Sequence, residues 1–531
     1  MFCFLLLVLI IVSCLITFLY VYISYNYDYW KKKKVPFIQP SFPFGNFGDV
    51  IMGRKSFIDL SIEQYRQFPN ERYFGVFDFG TPVLVIRDPV IVEKLLVSDF
   101  PVFCNKRVDS SSMNNEFFAK FLGGMQDQDW RDLRMKLNTA FSYNKLKQIF
   151  DNISSNADDL VSKINVYHSN NEEATAKSLS SLFSYKAITS SLFGFECDDS
   201  FYNLLMNTSK KTFIRFNILE CVFTVFFYVP KLVNLLFYIP SVNKVLKFYK
   251  DLSLAAVKAR KDSSGRRSDI LQILLDLKNN ELKNNRENPL HSDKTGKDQI
   301  LPPKCTMTGD YSKSDEDGFI TAQVFSFMCL GANGLTTALA VLLTDLASNP
   351  SVQTKVQAEI DEMLIKTKEI SPNTLQQLKY LDAVIQESLR LNPGFAGPLR
   401  TCSSPYTLPG TDLVLETGTT VMIPTCGIHL DPNNHPDPEL FLPERFIDNN
   451  FKTSGAYLPF GAGPRICLVY RLVILMLKVA VTKVLCKYSL RLSPNAKLPL
   501  RYKASFLGIL EDELWLKFEP RISIKSMNTS E

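Results

Sequence analysis

The chain opens on an unbroken apolar run: no charged residue occurs from Phe2 to Ser24, and Leu, Ile, Val and Phe dominate it. Wound as an α-helix, these residues rise about 34 Å, enough to cross the hydrocarbon core of a bilayer. Tyr20, Tyr22, Tyr25, Tyr27, Tyr29 and Trp30 follow where an interfacial aromatic belt is expected, and Lys31 to Lys34 come next. The positive-inside rule assigns those lysines to the cytosol. A cleaved signal peptide is the competing explanation, but the run is too long, no basic segment precedes it, and no small-residue cleavage site follows. Residues 1–30 are therefore expected to form an uncleaved single-pass anchor with its belt. Pro36, Pro40 and Pro43 then stiffen residues 31–48 into an extended Lys/Pro-rich hinge, ahead of a body at 49–531.

Within the body, YFGVFDFGTPVLVIR at 73–87 predicts two strands around a Gly-Thr-Pro turn. Beyond it the apolar period is helical over 130–150, 152–166, 242–261, 319–349 and 351–368. Short strands are expected again over 405–425, and SFLGILEDELWLKFEP near the C-terminus resembles a closing hairpin. The pattern predicts a mainly α fold with small β-sheets at its edges and no internal repeat. Residues 278–318, rich in Asn, Lys, Asp, Ser and Gly, are expected to be a mobile surface loop. Residues 213–240 are densely apolar and aromatic but interrupted by Pro230, which leaves open a buried helix pair or a surface dipping into the membrane.

Composition narrows the function. The 531 residues are 46% apolar, with 40 Phe, ample for one large core. A net charge of +6, with no dense basic stripe past the N-terminus, gives no footing for nucleic acid. The 11 cysteines are scattered, without CxxC or paired zinc spacing, and with only 4 His a His-rich metal site is not expected. Free thiols in a reducing compartment fit this usage.

One cysteine has a special setting, at the end of Pro459-Phe460-Gly461-Ala462-Gly463-Pro464-Arg465-Ile466-Cys467. Such a Gly- and Pro-rich turn is tight, rigid and able to approach a flat ligand closely. Gly461-x-Gly463 lacks the third glycine and the preceding strand of a dinucleotide loop. A helical pattern over 472–487 follows, so Cys467 is expected to meet backbone N–H groups and a positive helix end, both of which stabilise a thiolate. A thiolate so placed can ligate haem iron.

Here the chain resembles the cytochrome P450 family, whose cysteine loop has its Phe, two Gly, Arg and Cys in this register. Glu387-Ser-Leu-Arg390 matches the family's ExxR, 80 residues before Cys467, and Phe441-Leu-Pro443-Glu-Arg445-Phe446 lies between them. At i and i+3 Glu387 and Arg390 can pair on one helix face. The resemblance covers essentially the whole chain. It implies the cytochrome P450 fold behind one transmembrane helix and haem b held by Cys467. It also implies Trp130, Arg134, Arg400, Phe460, Gly463 and Arg465 around the cofactor, and a structural network of Glu387, Arg390 and Arg445. The arginines would neutralise the haem propionates, with Trp130 donating its indole N–H in the same cluster.

DILQILLDLKNN at 269–280, AQVFSF at 322–327 and the C-terminal strand resemble insect members of the drug-metabolising clan. This implies a microsomal monooxygenase in the endoplasmic reticulum membrane, facing the cytosol. Its electrons would come from NADPH–cytochrome P450 reductase, with cytochrome b5 as a second partner, and its substrates would be lipophilic small molecules. Pocket-lining segments are expected near 100–125, 205–240 and 395–402.

Two positions depart from the family pattern. On the long distal helix, where the family carries an acid and a threonine, Leu330-Gly331-Ala332-Asn333-Gly334-Leu335 has Asn333 and Gly334. Thr337 lies one turn beyond Gly334, so Asn333 and Thr337 are the candidate catalytic residues. The visible Thr336-Thr337 pair falls too late for the family's motif and is expected to be helix packing. After the cysteine, Val469 stands where the family has Gly, which implies crowding or a shifted helix. Three activities stay open: a working monooxygenase, a haem-thiolate isomerase of hydroperoxides, and a haem-binding protein with weak or no turnover. A helical scaffold without haem is the non-enzymatic alternative.

Overall fold

The helical periods of the sequence close around one long buried helix. The computed structural model describes residues 2–107, 120–194, 197–209, 212–213, 216–217, 233–236, 238–262, 269–276, 316–447, 454–504, 508–511 and 514–521. In chain order the elements that position the site are α1 (Phe2–Ser24), β1 (Tyr73–Asp78), β2 (Thr81–Ile86), α2 (Asp127–Ala140), α3 (Phe150–Ser169) and α4 (Ala176–Phe193). The central helix α5 joins Glu316–Ser326 to Ala332–Ser348 through a π-wound turn, Phe327–Gly331. After it come α6 (Pro350–Thr367), α7 (Lys379–Leu391), β3 (Leu399–Thr401), β4 (Thr420–Met422), α8 (Tyr470–Lys487), β5 (Tyr488–Leu492) and β6 (Trp515–Pro520).

Leu335, Leu339, Leu342, Leu343 and Leu346 of α5 are all buried, and its main neighbour is α4. Like α1, α5 is long and apolar enough to cross a membrane, but it is the core helix of the body, whereas the side chains of α1 from Phe4 to Tyr22 lie exposed. The expected helix over 130–150 is interrupted: α2 ends at Ala140 and a separate helix, Tyr143–Gln148, follows.

The main sheet runs in the order β1-β2-β4-β3, with β1 and β2 antiparallel and β2 and β4 parallel. The hairpin turn is Phe79-Gly80, and Thr81 and Pro82 already belong to β2. The C-terminal segment is not a local hairpin: β6 pairs with β5 (Leu490 opposite Phe518) and with the short strand Ala174–Thr175. Its hydrophobic face is completed by strands distant in sequence, which local alternation does not reveal. The segment 278–318 lies almost wholly outside the described residues, and so does most of 213–240.

The N-terminal boundary differs most from expectation. Trp30 is fully buried, donating its indole N–H to the carbonyl of Val76 at 3.1 Å. A Cβ on Gly75 would sit 2.4 Å from the Trp30 ring, so only glycine lets β1 approach the indole so closely. Tyr27 packs edge-on to Phe77. The segment expected to be an extended hinge is pinned to the same strand: Ile38 N–H donates to Gly75 O at 3.0 Å, Gly75 N–H to Pro36 O at 2.7 Å, and Asn46 N–H to Phe77 O at 2.8 Å. The far end of the expected aromatic belt and the Pro-rich segment are therefore part of the body: the indole fills the space left by Gly75, and its N–H finds a buried partner in Val76 O.

Candidate active site

The cysteine loop is shaped by its backbone before any side chain acts. Gly463 has φ +68°, and a Cβ there would lie 1.8 Å from the carbonyl oxygen of Leu96, so the loop passes a neighbouring helix at a distance no side chain permits. Gly463 thus serves close backbone approach, and it is not in the cavity wall. Gly463–Arg465 makes one 3-10 turn, and the Cys467 N–H closes the loop on Phe460 O at 2.9 Å. α8 starts at Tyr470 with Val469 as its N-cap residue, two residues earlier than the apolar period indicated. Val469 adopts φ −100°, an ordinary conformation, and its side chain forms part of the cavity wall. Burial raises the Cys467 thiol, while the Val469 N–H, Arg134 and Lys106 oppose that rise.

Behind this loop lies a buried ionic network. Arg390 donates from Nε to Glu387 Oε2 at 2.7 Å and from Nη2 to Oε1 at 3.0 Å, with both residues fully inaccessible. Arg445 Nε reaches Glu387 Oε1 at 3.0 Å, and Leu442 N–H donates to the same oxygen at 2.9 Å. Every lone pair and proton of such a buried group needs a partner, and here the remaining donors find carbonyls: Arg390 on His429, Arg445 on Pro436. His429 carries the network to the cysteine loop. Its Nδ1–H donates to Arg390 O at 2.9 Å, and its Nε2 accepts from Leu458 N–H at 2.7 Å, just before Pro459. Burial is the main reason its pKa falls to about 3, so the ring stays neutral in this tautomer.

Cys467 opens on a cavity of about 440 Å³ whose walls are mostly apolar. Lys106, Arg134 and Arg465 give it a cationic end, and no Asp or Glu occurs among its described lining residues. Burial and the charges of Arg465 and Arg400 push the Lys106 ammonium well below its usual pKa. Burial also lowers Arg400 to about 9 and Arg465 to about 10. Arg134 Nε and Arg400 Nε are buried without a hydrogen-bond partner, an arrangement that carries a cost unless an anion answers it. Arg400 is not in the cavity wall but is close enough to Arg465 to feel its charge. The Trp130 ring is a shelf for the Arg465 guanidinium, 4.0 Å above its centroid. Arg465 itself donates to Cys104 O at 2.6 Å and Met125 O at 2.8 Å.

Across the cavity, α5 contributes Asn333, Gly334 and Thr337 to the wall. Asn333 Nδ2 donates to Cys329 O at 2.7 Å and its Oδ1 accepts from Tyr185 OH at 3.2 Å. Thr336 bonds its own backbone at Ala332 O, 2.7 Å away, as packing would have it, whereas Thr337 of the same pair faces the cavity. A Cβ added at Gly334 would meet nothing within 4 Å.

Among the described residues no three His, Cys, Asp or Glu side chains converge as a metal cage. A lone thiolate serves a metal only when the other ligands arrive with it. The residues fit such a group: flat enough for the slot beside Phe460, carrying carboxylates for unanswered guanidinium donors, and holding a metal with one position for sulfur. Lys106, His429 and Tyr185 were not singled out from the sequence. Lys106 lies in a plain loop, and the roles of the other two appear only once helices distant in sequence meet.

Comparison with known proteins agrees with this geometry. The family model described as cytochrome P450 matches residues 36–518. The chain is 29% identical to cytochrome P450 9e2 of Blattella germanica over 92% of its own length and 93% of that protein. It is 30% identical to cytochrome P450 6B1 of Papilio polyxenes, covering 89% of this chain and 91% of the relative. A probable cytochrome P450 6d5 of Drosophila melanogaster is also 30% identical, over 87% and 89% of the two chains.

Proposed function

The chain belongs to the cytochrome P450 family and is a haem-dependent monooxygenase, and from that premise we propose that haem b would sit in this cavity, its iron held by the Cys467 thiolate. The observation that carries the assignment is the convergence of the Cys467 thiol with Lys106, Arg134 and Arg465 on a wall free of described carboxylates. Arg134, Arg400, Arg465 and Lys106 would hold the propionates, and Trp130 would keep Arg465 in place. Bound there, the haem supplies activation of dioxygen, from which one atom enters the substrate. Val469 N–H keeps charge on the sulfur, and Phe460 closes the slot. Glu387, Arg390 and Arg445 fix the loop through His429.

Apolar walls, among them Phe121, Phe327, Leu335 and Phe395, favour a lipophilic substrate. Electrons would come from NADPH through cytochrome P450 reductase, with cytochrome b5 as a second donor. A groove of about 620 Å³ lies beyond Phe460, with Arg471 on its border and Lys478 paired there with Asp382 at 3.2 Å. α1, with Lys31 to Lys34 on the cytosolic side, would anchor the enzyme in the endoplasmic reticulum membrane.

One observation favours a second reading, haem binding with weak turnover: Asn333 and Gly334 replace the usual acid and alcohol, and the Asn333 amide is already engaged. The purified chain, reduced under carbon monoxide, is expected to give the red-shifted Soret band of thiolate ligation. A colourless protein would overturn the assignment. NADPH consumption with reductase and a lipophilic probe then separates catalyst from binder, and turnover supported only by a lipid hydroperoxide would favour an isomerase.

A further inference from the structure

We propose that Tyr185 is a positioning residue for this site: through Asn333 it holds the π-wound turn Phe327–Gly331 in the cavity wall, which makes Asn333 a brace and leaves Thr337 as the hydroxyl that serves the substrate side. The proposal rests on the haem assignment above for its catalytic consequence, though not for the brace itself.

The argument starts from the turn. A helix wound i→i+5 interrupts the regular ladder, and buried carbonyls at the junction need donors from elsewhere. Asn333 Nδ2 supplies one to Cys329 O, inside the turn, at 2.7 Å. That bond also fixes which way the amide points. Its nitrogen must face the carbonyl, so its oxygen faces Tyr185, whose hydroxyl donates at 3.2 Å. Tyr185 is 2% exposed, lies outside the cavity wall and stands edge-on to Tyr202, and its hydroxyl reaches the wall at Asn333.

Two further contacts come from the same face of α4. Ile188 and Thr189 stand three and four residues past Tyr185, on one side of the helix. Thr189 Oγ1 points at Met328 Sδ, 3.7 Å away, and Ile188 Cδ1 lies 3.5 Å from where a Gly331 Cβ would be. One stripe of α4 thus follows the widened turn from Met328 to Asn333. A carboxylate at 333 would turn the 2.7 Å donor into a repulsion against Cys329 O, which gives the amide a reason of its own in this chain.

The test uses the full-length haem-loaded protein as four variants: parent, Tyr185→Phe, Asn333→Ala, and both together. Amide deuterium exchange is followed over 327–335, with 379–391 as an internal control, and hydrogen peroxide released per NADPH is measured with reductase at equal haem content. Tyr185→Phe is expected to speed exchange over 327–335 by roughly fivefold, the factor one net hydrogen bond carries, and to raise peroxide release by a similar factor. In the Asn333→Ala background it is expected to add nothing. Unchanged exchange over 327–335, an equal effect in both backgrounds, or faster exchange with unchanged peroxide release overturns the proposal. A parent that holds no haem or consumes no NADPH would instead overturn the functional assignment, and the exchange data would still decide the brace.

Discussion

Cys467 and His429 do their work through a protonation state that their surroundings impose. Burial raises the Cys467 thiol, so the Val469 N–H, the nearby cations and a bound metal would be what keeps the sulfur anionic. Cys467→Ser is expected to leave the far-ultraviolet dichroism intact while haem-dependent turnover falls by more than about 100-fold, beyond what loss of a supporting group gives. Retention of the red-shifted carbonyl band in that variant would contradict the ligand assignment. His429 is held neutral by burial, with a folded pKa of about 3 against 6.5 for the free side chain. The unfolded chain therefore takes up a proton that the folded chain refuses once the pH drops below 6.5. Stability present above that pH is lost as it falls toward 3, by up to about 1.4 kcal/mol per pH unit. His435, lowered mainly by burial too, adds to the same window. Urea midpoints measured at about pH 7.5 and pH 5.5 should differ less in His429→Gln than in the parent. Equal differences would remove His429 from the account.

At the scale of elements, α5 is where period and function part. Its apolar repeat places the helix within a few residues, but a repeat cannot register one turn wound i→i+5, because the buried face resumes on the far side of it. The departure Asn333-Gly334 was visible in the sequence, while the engagement of Asn333 by Tyr185 was not, since α4 and α5 are joined only by the fold. This changes the informative substitution. Gly334→Thr finds open space for its Cβ and replaces a poor helix former, so its thermal midpoint should not fall and its product yield per NADPH should rise. Asn333→Glu should lower the midpoint, through a loss of about 1–3 kcal/mol of stability, because it removes a donor from a buried carbonyl. Equal midpoints for the two variants would argue against the brace. The N-terminal segment teaches a similar lesson, for Trp30 looks like belt in sequence and is core in space.

For the molecule as a whole, two features set how parts are held together. Glu387 joins α7 to the segment around Arg445 and, through Arg390 and His429, to the cysteine loop. Glu387→Gln leaves two buried guanidinium groups short of their counter-charge, so a loss of about 3–5 kcal/mol is expected in urea unfolding, together with poorer haem retention. A variant as stable as the parent would show that the network is not structural. The second feature is the junction of anchor and body. Deleting residues 2–24 leaves Tyr27 and Trp30 in their slots and should preserve thermal stability. Deleting residues 2–34 removes the indole from Gly75 and Val76 and should cost about 3–5 kcal/mol, the usual range for emptying an aromatic core site. Equal stability of the two truncations would return residues 31–48 to a hinge outside the body.

Cys467 with Phe460, Gly463 and Arg465, the Glu387–Arg390 pair with Arg445, and the apolar run of α1 were all legible by themselves. Each is a local spacing, and local spacing fixes which side chains share a turn or one face of a helix. The altered pair Asn333 and Gly334 was legible for the same reason. Through-space partners were decided only by the tertiary structure. Lys106 joins Arg134 and Arg465 because three separate segments end at one cavity, and His429 links Arg390 to Leu458 because α7 and the cysteine loop meet around it. β6 finds β5 because both need the same apolar face covered. Trp30 enters the core because glycine at 75 leaves room for it. Burial and hydrogen-bond satisfaction select such partners over the whole chain at once, and no window along the sequence contains them.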